Sequence, residues 1–107
     1  MIHELLGQGQ SNAIRTADLV RLTGCKSARD LQEQIAKERE AGHLILSSSR
    51  RGGGYYLPAP GAAGKAEIEA FVATLRARAL NTLRILRDAK RALNDLDGQE
   101  RITEIDL

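Results

Sequence analysis

The chain has 107 residues, 42% of them hydrophobic and 28% charged, which suits one small folded domain and leaves little room for a second core. Aromatic residues make up only 3%, namely Tyr55, Tyr56 and Phe71, so the core must come from Leu, Ile, Val and Ala, a composition that favours helices. Sixteen Lys and Arg against fourteen Asp and Glu give a formal charge of +2, which permits an anionic partner and excludes a uniformly basic nucleic-acid coat.

Ile2, Leu5 and Leu6 are spaced for a short first helix that ends at the Gly7-Gln8-Gly9 breaker. Thr16 can cap a second helix over 17–22, with Ala17, Leu19, Val20 and Leu22 turned inward. The turn Thr23-Gly24-Cys25-Lys26 leads to Ser27, the expected cap of a third helix, with Asp30 as its capping-box partner. That helix covers 28–41: Ala28, Leu31 and Ile35 form an apolar stripe, Arg29, Glu33, Lys37 and Glu40 take other faces, and Gly42 stops it. Leu44-Ile45-Leu46 then reads as a strand, 47–54 as a polar hairpin tip, and Tyr55-Tyr56-Leu57 as the returning strand. Such a ribbon is marginal alone and must lean on the helices, with one tyrosine packed inward and the other outside.

Pro58, Pro60, Gly61 and Gly64 make 58–64 a hinge-like linker. Neither Gly nor Pro interrupts 65–96, which is expected to be one long helix followed by an acidic tail at 97–107. Along it Ile68, Val72, Leu75, Ala79, Thr82, Leu86, Ala89, Leu93 and Leu96 recur at alternating spacings of four and three, the seam of a coiled coil, widened by Phe71 and Leu83. The expected dimerisation residues are Ile68, Val72, Leu75, Ala79, Leu83, Leu86, Leu93 and Leu96, and the expected assembly is a homodimer. Arg76, Arg78, Arg84, Arg87, Lys90 and Arg91 face only Asp88 between 76 and 91. They can flank the seam, touch DNA or pair with the acidic end.

Thr16-Ala17-Asp18-Leu19-Val20, Gly24, Ser27-Ala28-Arg29-Asp30-Leu31, Ile35, Arg39-Glu40-Ala41-Gly42, Ile45-Leu46-Ser47-Ser48 and Gly53-Gly54-Tyr55-Tyr56-Leu57 follow one another in a telling order. Over 1–57 the chain resembles the winged helix-turn-helix, and is similar to the small amino-terminal DNA-binding modules of bacterial repressors such as the biotin operon repressor. The resemblance implies a mainly α fold with a small β-hairpin, followed here by the long carboxy-terminal helix. It further implies that the third helix enters a major groove, placing Ser27, Arg29, Gln32, Glu33, Ala36 and Lys37 near double-stranded DNA, with Arg50 and Arg51 on the wing.

The chemistry of those side chains suits the roles. Arg29 can hold guanine bidentately, Gln32 can read adenine, and Glu33 can accept from cytosine or pair with Lys37. Lys26 and Lys37 suit phosphate, and two arginines on a glycine-rich tip can approach a backbone or enter a narrow minor groove. Glu38 and Glu40 must point away from phosphate for tight binding.

Enzyme chemistry has little support. His3 and His43 lie in separate segments, Cys25 has no activating pair, and no nucleotide fingerprint occurs, so neither catalytic residues nor cofactor nor metal is expected. With a lone cysteine, no long apolar run and no basic-plus-apolar leader at Met-Ile-His-Glu, a cytoplasmic protein away from membranes is expected. The leading expectation is a dimeric, sequence-specific transcriptional regulator, such as a repressor. The alternative is a structural or assembly adaptor, including a phage packaging type, that uses the same module to hold protein or DNA non-specifically.

Overall fold

The structure, a computed structural model, describes residues 1–48 and 53–106, with side chains described as far as Gly98. The protein is mainly α-helical. In chain order come a 3-10 turn (Ile2–Leu5), a second such turn (Gln10–Asn12), α1 (Thr16–Thr23), α2 (Ala28–Glu40), strands β1 (Leu46–Ser47) and β2 (Tyr55–Tyr56), and α3 (Gly61–Asp106). Two compact units divide it: Met1–Val72, and the part of α3 that follows.

In the first unit α1 and α2 form a helix-turn-helix-like pair. α1 buries Leu19 and half-buries Thr16, Val20 and Thr23, an i, i+3, i+4, i+7 stripe. Ala17 and Leu22, expected inside, lie off that stripe and are exposed. The pair turns at Gly24, whose φ of 71° is costly for any residue with a Cβ, and whose N–H donates to Val20 O at 3.1 Å. Thr23 stiffens the turn: its hydroxyl donates to Leu19 O at 2.6 Å and accepts from Cys25 N at 3.3 Å.

α2 starts where Ser27 Oγ accepts from Asp30 N at 3.1 Å, as the capping pattern predicts. The reciprocal bond is displaced by one residue, because Asp30 Oδ2 accepts from Lys26 N at 3.0 Å rather than from Ser27. The helix ends in a Schellman arrangement, with Gly42 N donating to Arg39 O at 3.0 Å and His43 N to Glu38 O at 3.0 Å.

β1 and β2 are antiparallel, with Leu46 opposite Tyr56 and Ser47 opposite Tyr55. The ribbon has a second support that the local sequence pattern does not show. Ile14 and Tyr55 exchange N–H···O bonds at 3.0 and 2.9 Å, and Leu57 exchanges bonds with Gly7 and Gly9 at 2.9 and 2.7 Å. Both tyrosines are therefore used inside. Half-buried Tyr55 packs on the cluster of Ile2, Leu6, Leu19, Leu31, Ile35 and Ile45, while Tyr56 is buried with Leu46 and Phe71.

Residues 58–64 do not form a loose hinge. α3 already begins at Gly61 rather than near Lys65, and Glu67 accepts from Ala59 N at 2.9 Å and from Gln10 N at 2.7 Å. A Cβ on Gly64 would stand 1.6 Å from Ala59 O, so this close approach admits only glycine. Gly64→Ala should destabilise the first unit by about 1–3 kcal/mol, read as a lower Tm in a circular-dichroism melt. Gly98→Ala should not lower it, since nothing lies within 4 Å of a Cβ there.

Phe71, read as part of the seam, instead belongs to the first unit's core, and Ile68 is half-buried against the same cluster. At the other end α3 runs past Leu96 to Asp106, through the segment read as an acidic tail. Its residues 72–97 are exposed without exception. No described helix is long and apolar enough to cross a membrane.

Candidate nucleic-acid interface

Three residues behind α2, Leu31, Ile35 and Glu38, are buried and fix the orientation of the helix. The opposite surface is open: Arg29, Gln32, Glu33, Ala36 and Lys37 are all exposed, as are Lys26 and Ser27 at its start. The sequence-derived contact residues within the described chain are thus brought to one face and one helix end. Arg50 and Arg51 lie outside the described residues.

Within that face Arg29 Nε stands 3.5 Å from Glu33 Oε1, with the two side chains 89% and 64% exposed. A pair so open to water contributes roughly 0–1 kcal/mol, too little to withhold Arg29 from a stronger acceptor. At the helix start the Lys26 N–H, followed by the Gln34 side chain, holds the Asp30 carboxyl below its ordinary range. Asp30 is committed to the turn, in keeping with its place in the capping pattern.

No family model, curated protein or solved structure matches the chain.

The other side of α2 holds a polar cluster that the sequence pattern does not reveal. Glu38 Oε2 accepts from Ile2 N at 2.9 Å, and Oε1 accepts from His3 N at 2.9 Å and lies 2.6 Å from His3 Nδ1. One carboxylate thereby satisfies the free N–H groups at the start of the first turn, where a negative charge is favoured. Burial pushes the Glu38 carboxyl up, but the bonds from His3 and Ile2 outweigh it and leave the group below the ordinary range. The His3 ring stacks on His43 with centroids 3.7 Å apart and planes 12° from parallel, so the two histidines read as separate are in contact. Stacked rings point their nitrogens sideways rather than at a common point, and among the described residues no cluster could hold a metal.

Arg39, the next residue along α2, serves structure as well. Its Nε donates to Ile45 O at 2.9 Å, and its guanidinium lies 5.1 Å from the centre of the Phe71 ring. Glu38 therefore points away from the open face, whereas Glu40, expected to do the same, is exposed at the carboxyl end of that face.

Proposed function

We propose that the protein is a sequence-specific duplex-DNA-binding regulator of transcription that acts as a homodimer and not as an enzyme. The observation that carries this reading is the open α2 face, where Arg29, Gln32, Glu33 and Lys37 stand together while the opposite side is locked by Leu31, Ile35 and Glu38. A helix held rigidly from behind can present side chains to a major groove without losing their orientation. In this reading Arg29 holds guanine, Gln32 and Glu33 read neighbouring bases, and Lys26, Ser27 and Lys37 fix the backbone. The hairpin tip acts as a wing through Arg50 and Arg51, in the manner of the winged helix-turn-helix that the sequence resembles.

The second unit supplies the dimer. A single helix with Leu75, Leu83, Leu86, Leu93 and Leu96 all exposed has no stability of its own to spare, and a second copy covers that surface. Two modules so joined would meet the halves of a palindrome.

Selection from random duplexes at a stated salt concentration tests the reading. The wild type should enrich one palindromic motif, and Arg29→Ala should lose about 1–3 kcal/mol of discrimination at one base position per half-site. Arg50→Ala/Arg51→Ala should weaken binding while the α2-read bases stay preferred. Failure to enrich any motif, with binding unaltered by Arg29→Ala, would overturn the regulator and favour the adaptor that holds DNA or protein without reading sequence.

A further inference from the structure

We propose that α3 carries a second anion-binding surface, distinct from α2, which takes the phosphate backbone of a nucleic acid without reading its bases. At about 100° per residue, Arg76, Arg84, Arg87, Lys90 and Arg91 fall within an arc of about 120° on the helix, and Arg78 falls on the opposite side. All are exposed. Among the described residues the ion pair on this face is Arg87 Nε to Asp88 Oδ1 at 3.9 Å, between side chains 68% exposed, which leaves the positive field almost unneutralised.

The basic arc lies beside the apolar stripe, and Leu83, Leu86, Arg87, Lys90, Arg91 and Asn94 line an open groove along the border. Leaving the stripe to a second copy rests on the dimer reading above, whereas the basic arc does not. A second copy set parallel does not neutralise the arc, because it brings the same cations alongside. A duplex can, since it presents a phosphate charge about every 1.7 Å of its axis, while the arc sets five cations along about 22 Å of helix. That excess of acceptors lets the arc bind in many registers, which is why it carries no sequence preference.

Arginine predominates in the arc, and its fork matches phosphate oxygens. Interfacial aromatic anchors are missing from this stretch: the sequence has no Trp, and Phe71 is buried in the first unit. Both features favour a nucleic acid over a lipid surface.

Fluorescence anisotropy of a labelled random-sequence duplex with the full chain, taken from 50 to 200 mM salt, tests the proposal. Arg84→Gln/Arg87→Gln/Arg91→Gln should lower the slope of log affinity against log salt by about 2–3, at roughly 0.9 for each phosphate no longer neutralised, and weaken binding at least tenfold. Lysine at the same three positions should keep most of the slope, and Arg78→Gln should leave it nearly unchanged. The glutamine variant should still enrich the wild-type motif, whereas Arg29→Ala should alter the motif and spare the slope, so the two surfaces fail separately. An unchanged slope in the glutamine variant, an equal loss in the lysine variant, or arginine-dependent binding to phosphatidylglycerol vesicles with duplex binding unaffected would overturn the proposal.

Discussion

Glu38→Ala should destabilise the first unit by about 2–6 kcal/mol, because it leaves the N–H groups of Ile2 and His3 without their acceptor, at about 1–3 kcal/mol each. A unit of this size has roughly 4–11 kcal/mol in total, so the loss should be visible as a shifted urea midpoint and as faster amide exchange at Ile2 and His3. Glu38→Gln keeps the shape and one oxygen, but its amide nitrogen faces a donor, so it should fall between wild type and alanine. Wild type and Glu38→Gln also separate in pH. The Glu38 carboxyl is held below its ordinary range, so its contribution is fully present above the unfolded value of about 4.5 and is lost as pH falls through the lower folded value. Wild type should therefore lose more stability between pH 5 and pH 3 than Glu38→Gln, whose side chain does not titrate. Equal losses in the two proteins would show that the fold does not favour the ionised form of the Glu38 carboxyl.

Glu38 also shows how far local patterns reach. Leu31 and Ile35 mark the buried stripe of α2, and the next step along it is residue 38, so the spacing places this side chain inside. The charge obscured that placement, because its partners lie at Ile2 and His3, a separation that no helical period reports. The Ser27 cap and the Gly42 stop were legible because each acts within a few residues. His3 meets His43 only because the Schellman end of α2 returns the chain toward the first turn. Composition misled at 58–64: Pro and Gly mark a hinge as readily as a close approach, and the bonds that pin Ala59 and Gln10 come from Glu67, on a later helix. The helix end expected at Leu96 is also passed, since one Gly costs a helix only about 1 kcal/mol and α3 runs on to Asp106. Of the candidate interface, the residue types on α2 were readable in the sequence. Their common exposure needed the fold, because it depends on which side Leu31, Ile35 and Glu38 take.

Periodicity alone also cannot say what covers a stripe. Ile68 and Phe71 share the phase of Val72 and Leu75, yet the first two pack on the hairpin and the latter two are exposed. Leu86→Asn/Leu93→Asn should therefore turn a dimer into a monomer near 11.7 kDa by light scattering at micromolar concentration, with the first unit still folded. Val72, Leu75, Leu83, Leu86, Leu93 and Leu96 are each 43–59% exposed in the single chain. Covering the remaining half of each yields about 1 kcal/mol per side chain, or about 12 kcal/mol for the pair of helices. Association costs at least about 4 kcal/mol, which leaves up to about 8 kcal/mol, equivalent to a Kd near 1 μM. The double substitution removes about 4 kcal/mol of that burial from the two copies, enough to raise Kd by about a thousandfold. Affinity for a palindromic duplex should fall with it, while a single half-site should bind the variant as well as it binds wild type. A variant that stays dimeric would place the contact elsewhere on the chain, and one that is monomeric but keeps full affinity for the palindrome would show that dimerisation does not serve DNA binding.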